Sequence, residues 1–142
     1  MYVFLDFDGV LRRLSSEPSR FETDLVDNFE SAIRPFPEVK IVISSAWRLI
    51  MSLGDLHMLF SPDLAQRIEG ATPETLALTA HSRYNEVRTY LKTAKAIQAP
   101  WLAIDDDPAH YPTDAPLLIT DPYQGFDKTC AKRLQEILAI SL

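Results

Sequence analysis

The sequence predicts an α/β fold, a parallel five-stranded sheet flanked by helices. Two observations predict it. Short apolar runs rich in Val and Ile alternate with helical periodicity, the pattern of strands joined by crossover helices. Each carboxylate cluster or Ser pair of interest also follows such a run, and ligands of open α/β sheets bind beyond the carboxyl ends of the strands.

Taken in order, the first strand is expected over Tyr2 to Phe7. Phe21, Leu25, Phe29 and Ile33 recur every four residues and predict an amphipathic helix, ended by Pro35 and Pro37. Val39 to Ile43 is a second strand, closed by Ser44-Ser45. Leu49, Ile50, Leu53, Leu56, Leu59 and Phe60 suggest a second helix, interrupted by Gly54. Ser61-Pro62 reads as an N-cap followed by Pro at the first helical position. A short third strand is expected around Arg67 to Thr72. Val87, Tyr90, Leu91 and Ala94 predict a helix running to Pro100. Trp101 to Ile104 and Leu117 to Thr120 are the last two strands. Phe126, Cys130, Leu134, Ile137 and Leu138 form the face of a final helix, with Cys130 on its apolar side.

A chain of 142 residues is enough for one domain with a core and too short for two comfortable ones, so a single domain over 1–142 is expected. No apolar run is long enough to span a bilayer. The N-terminus enters a strand with no basic and apolar segments before it, so no secretory signal is expected. The one cysteine excludes an internal disulfide and fits a reducing compartment; the expected location is cytoplasmic. A net charge of −6 argues against a broad basic surface for nucleic acid.

The chemistry sits at strand ends. Asp6 and Asp8 flank Phe7 where the first strand gives way to Gly9, and two carboxylates so close repel unless a cation or a proton intervenes. A phosphoryl-transfer site has a use for such a pair, because one Asp can attack phosphorus while the other handles the proton. Asp105-Asp106-Asp107 follows the fourth strand. Asp is common in turns, but hard oxygen ligands are also what Mg²⁺ requires. Asp105 and Asp106 are the expected ligands, with Asp107 outside the set. Ser44 or Ser45 could bind a phosphoryl oxygen or cap the next helix; Ser44 is preferred because it immediately ends the strand. His57, His81 and His110 show no ligand spacing, and no zinc site is expected.

Asp6-Phe7-Asp8-Gly9-Val10 resembles the first signature of the haloacid dehalogenase (HAD) superfamily, most of whose members are Mg²⁺-dependent phosphohydrolases. Trp101 to Asp106 resembles its fourth signature, an apolar strand followed by paired Asp. Ser44-Ser45-Ala46-Trp47-Arg48 looks like a string of a small HAD subgroup associated with RNA repair proteins, and Arg83 before Glu86-Val87 resembles that subgroup's basic residue. Lys92 and Lys95 are alternatives to Arg83. Arg48 either approaches the phosphate or is solvated or ion-paired. Asp121 also matches the subgroup in style, although capping the turn before Pro122 is the simpler role.

The resemblance implies a three-layer Rossmann-like (HAD-like) fold. Neither gap between signatures is long enough for a large cap. It implies hydrolysis of phosphomonoesters through an aspartyl-phosphate, with Asp6 as nucleophile and Asp8 as acid and base. Ser44 and Arg83 would bind the phosphate. Mg²⁺ would be held by Asp6, Asp105, Asp106 and the backbone carbonyl of Asp8. An open, capless site suits a nucleotide, a nucleic-acid end or a phosphoprotein. Arg12 and Arg13 either meet an anionic chain or form a solvated flap. Two other classes are open: a signalling receiver domain, which orders its acidic groups differently along the chain, and a non-catalytic HAD-like binding domain. No membrane partner is expected, and oligomeric state is not legible.

Overall fold

The computed structural model describes residues 1–15, 21–75 and 80–142. Five strands, β1 (Tyr2–Leu5), β2 (Lys40–Ile43), β3 (Ile68–Ala71), β4 (Trp101–Asp105) and β5 (Leu117–Ile119), form one parallel sheet in the order β3-β2-β1-β4-β5. The helices are α1 (Thr23–Ile33), α2 (Leu53–His57), α3 (Pro62–Ala65), α4 (Ser82–Thr93) and α5 (Lys128–Ser141). The chain moves outward from β1 to β3 on one side, then crosses to β4 and β5 on the other. The strand order therefore reverses between β1 and β4, and such a switch point opens a crevice at the carboxyl ends of the strands.

β1 sits at the centre of the sheet with all four residues buried, as a strand covered on both faces must be. Its side chains alternate between the faces. Val3 and Leu5 join the larger core with Phe29 and Ile33 of α1 and Cys130, Leu134 and Leu138 of α5. Tyr2 and Phe4 join a smaller core with Val87 and Leu91 of α4 and with Tyr111. Cys130 is buried and unbridged, as its place on the apolar side of the last helix predicts.

The expected elements are present with three corrections. The helix predicted over Leu49 to Phe60 is broken into a 3₁₀ turn (Ala46–Leu49) and the short α2. Ser52 restarts the chain by accepting a hydrogen bond from the Asp55 N–H, and Leu49, Ile50 and Leu53 are exposed while Leu56 and Phe60 are buried, so only the second half of that spacing marks a covered face. The α4 helix stops at Thr93 rather than reaching Pro100, because Lys95 adopts the left-handed conformation (φ 56°). Ser61 occupies the N-cap position of α3 before Pro62, but its hydroxyl donates to the buried Glu30 instead of accepting a cap bond (2.7 Å).

At the amino edge of the sheet, α1 ends in a turn closed by Arg67. Its guanidinium donates to the carbonyls of Ile33, Phe36 and Val39, tying the end of α1 to the segment that enters β2.

Candidate active site

Parallel register builds the site. Leu5 pairs with Ile43 of β2 and with Ile104 of β4, so one residue further on Ser44, Asp6 and Asp105 stand in a row across three adjacent strand ends. The row is pinned by the backbone: Ser44 N–H donates to the Leu5 carbonyl (2.9 Å) and Asp6 N–H to that of Ile104 (3.0 Å). Asp6, Asp105 and Asp106 bring one carboxylate oxygen each within 4.8 Å of one another. Asp106 can come this close because Gly9 turns with φ 78°; a Cβ there would lie 2.4 Å from Asp106 Oδ2. The Asp8 side chain is outside this group.

The cluster is anionic, and burial and mutual repulsion govern its ionisation. Burial, then repulsion from Asp105, pushes the Asp6 carboxyl well above the usual range, and the Arg83 charge opposes that rise. Burial and Asp105 push Asp106 up to about 6. Burial works against ionisation of Asp105 too, but His110 beside it and the Asp107 N–H hold its carboxyl below the usual range. Asp105 Oδ2 is fully buried and has no hydrogen-bond partner among the described residues; His110 Nδ1 stands 3.6 Å away. An orphaned carboxylate oxygen facing two further carboxylates is an oxygen-only donor set of the kind Mg²⁺ takes, and these residues fit that ion.

On the other side of Asp6, the two serines divide the roles the sequence leaves open. Ser45 accepts from the Trp47 N–H and caps the 3₁₀ turn (3.2 Å), whereas the Ser44 hydroxyl is buried with no partner among the described residues. Arg83 lies in the first turn of α4 and donates to Glu86 (3.2 Å). Lys92 ends α4 and Lys95 follows it, both exposed and about 14 Å or more along the axis from Arg83. The Arg48 side chain is 4% exposed and paired with Glu86 (2.8 Å), the ion-paired one of its three expected alternatives.

Asp8 is fixed by two donors, Arg12 Nε (2.9 Å) and Trp47 Nε1 (3.2 Å). The indole is itself seated edge-on against Phe7 and tilted against Phe21. Arg13 pairs with Glu22 and Asp24. Arg12 and Arg13 are both engaged in ion pairs rather than offered to a chain as free cations. Asp107 caps the Ala109 N–H (2.9 Å), and Asp121 accepts from the Tyr123 N–H (2.8 Å), the turn-capping role. Trp47, Glu86 and His110 are the neighbours that sequence reasoning misses. The Trp-Arg pair after the serines is the available signal for Trp47, the Glu86-Val87 pair after Arg83 is the one for Glu86, and His110 has none.

A parallel sheet with this order, an Asp-x-Asp-Gly turn after its central strand and paired Asp after the neighbouring strand define a HAD-like protein. The family model for the HAD domain in Swiss Army Knife RNA repair proteins matches residues 2–131, and the chain belongs to that family. No curated protein and no solved structure matches it. Membership points to a phosphatase-type hydrolase of a group that typically uses a metal ion. No helix among the described residues is long and apolar enough to cross a membrane.

Proposed function

We propose that the protein is a Mg²⁺-dependent phosphomonoester hydrolase of one domain, working through an aspartyl-phosphate at Asp6. The observation that carries this reading is the row Ser44–Asp6–Asp105. Its central member is a buried carboxylate, and each flanking member holds a buried polar atom with no hydrogen-bond partner among the described residues. Asp6 Oδ1 accepts the Phe7 N–H (2.8 Å), which fixes the carboxylate for in-line attack by its other oxygen. Attack forms the Asp6–phosphorus bond as the ester oxygen leaves. Asp8, oriented by Arg12 and Trp47, gives that oxygen its proton and then takes one from the water that cleaves the acyl-phosphate. Ser44 Oγ and the Arg83 guanidinium hold the phosphoryl oxygens. Asp6, Asp105, Asp106 and the Asp8 carbonyl would hold Mg²⁺, which when bound neutralises charge on the transferring group.

The substrate class we propose is a terminal phosphate on a nucleotide or nucleic-acid end, following the RNA-repair association in the family's description. Because Arg12 and Arg13 are engaged in ion pairs, recognition would rest on the phosphoryl group and its neighbour rather than on a long backbone track. Phosphate release is the test, measured with Mg²⁺ on an aryl phosphate, nucleotides and oligonucleotides phosphorylated at either end, with wild type beside Asp6→Asn. Release by wild type alone is expected. Mg²⁺-dependent turnover retained by Asp6→Asn would falsify the nucleophile assignment.

A further inference from the structure

We propose that the buried Arg48–Glu86 pair is a positioning strut that sets the gap between Ser44 and Arg83, and through it the affinity of the site for a phosphoryl group. This rests on the reading above in taking Ser44 and Arg83 as the phosphoryl-binding pair.

The bonding supports a strut. Arg48 donates through Nε to the Thr72 carbonyl (2.8 Å), through Nη1 to the Ser45 carbonyl (2.9 Å) and through Nη2 to Glu86 Oε2 (2.8 Å). Glu86 Oε2 also accepts the Thr75 N–H (2.9 Å), and Oε1 accepts Arg83 Nη1 (3.2 Å). One guanidinium thus ties together the segments leaving β2 and β3, and one carboxylate ties both to α4. Ser44 is next to one anchor point, the Ser45 carbonyl. Arg83 is itself the last link. Because Arg83 and Glu86 are three residues apart on α4, they share a helix face and can meet.

The pair is an expensive way to gain stability. Both side chains are 5% exposed or less, and desolvating two charges offsets most of their attraction, so well-packed apolar residues would hold the fold as firmly. What apolar residues could not do is orient a guanidinium. Among the described residues Arg83 donates to Glu86 alone, so one arm of its planar fork is anchored and the other donors stay open to a ligand. Two guanidinium groups against one carboxylate leave the trio net positive beside the acidic cluster.

The test is a double-mutant cycle read by calorimetric titration of inorganic phosphate in the presence of Mg²⁺, on the full chain. Glu86→Gln is expected to weaken phosphate binding about tenfold, the loss of one charge-assisted anchor, and to add nothing further in an Arg83→Ala background. Should Glu86→Gln fail to fold, Arg48→Lys keeps the charge, loses the fork and is expected to show the same dependence on Arg83. Glu30→Gln is the control. Glu30 is as buried as Glu86, but it lies in α1 and accepts from Ser61, so its loss should lower stability and leave phosphate affinity intact. Additive effects in the cycle, or an equal loss of affinity in Glu30→Gln, overturn the strut. Turnover followed in parallel separates the two readings. Phosphate binding with a coupled cycle but no turnover removes the catalytic reading and keeps the strut. Turnover with an additive cycle does the reverse, and a folded wild type that binds no phosphate removes both.

Discussion

The two edges of the sheet are built from the same strands and pair their backbone donors alike, but they differ in what their side chains do. At the amino edge, backbone donors find carbonyls: Tyr2 N–H meets Pro100 (3.0 Å), Lys40 meets Met1 (2.9 Å) and Ile41 meets Arg67 (2.9 Å). The Arg67 side chain then covers three more carbonyls. At the carboxyl edge, Ser44 Oγ, Asp105 Oδ2, His110 Nδ1 and Tyr111 Oη are buried without hydrogen-bond partners among the described residues. Burial also pushes the Tyr111 phenol up, so it stays protonated beside Asp105 and Asp6. A buried polar group left unpaired destabilises a fold by about 1–3 kcal/mol. Asp105 Oδ2 and His110 Nδ1 face each other at 3.6 Å, and the one further unpaired atom among the described residues is His57 Nε2 of α2, so such groups gather at the edge where a ligand would meet them.

That contrast can be broken most directly at Asp105. Asp105→Asn keeps an acceptor for the Asp107 N–H but removes the charge at the orphaned oxygen. Turnover should fall by about 10²- to 10³-fold, the usual consequence of losing one group that stabilises transferring charge. Mg²⁺ should raise the melting temperature of wild type and leave the variant unmoved. A variant stabilised by Mg²⁺ as much as wild type would place the ion elsewhere. Arg67→Ala is the matching change at the amino edge. It should lower stability by about 2–3 kcal/mol in urea unfolding, with turnover per folded molecule unchanged.

A smaller effect sharpens the same contrast through pH. The Asp106 carboxyl sits at about 6 in the fold and near the ordinary aspartate value when unfolded, so the folded state binds more protons between those values. Its contribution is therefore favourable at low pH and is lost as pH rises from about 4 through about 6. In chelator, Asp106→Asn should gain on wild type across that window by about 1–2 kcal/mol, after allowing for partial solvent screening. Thermal melts at a series of pH values give the gap, and added Mg²⁺ should close it. A gap that is flat with pH would show that Asp106 ionises without strain.

The strands were legible because each is a short apolar run ending in residues with no reason to be buried. Both Asp clusters and Ser44 follow from that rule alone. The segment from Ala46 to Phe60 was not legible, because Leu49, Ile50 and Leu53 repeat at helical spacing while facing solvent, and periodicity assumes that apolar residues mark the covered side. The partners that hold the site in shape were hidden for a different reason. Arg48 meets Glu86 across 38 positions and Trp47 meets Asp8 across 39. Nothing local in the sequence encodes such pairs. Arg12 reads as a free cation until the turn at Gly9 folds it back onto Asp8.

The central place of β1 has a consequence for how the protein comes into being. A ribosome delivers β1 ahead of every other element described here, with Asp6 and Asp8 directly after it, yet the strand lies between β2 and β4 and the turn after it is clamped by residues made much later. Thr120 donates its hydroxyl to the Gly9 carbonyl (2.7 Å), and the Phe126 N–H donates to Val10 (2.7 Å). A growing chain therefore carries Asp6 and Asp8 long before their surroundings, because the groups that clamp the turn after them lie more than a hundred residues further on. Contacts of such long sequence separation form slowly. A chain cut short before Thr120 would lack that clamp and leave the turn at Gly9 unbraced.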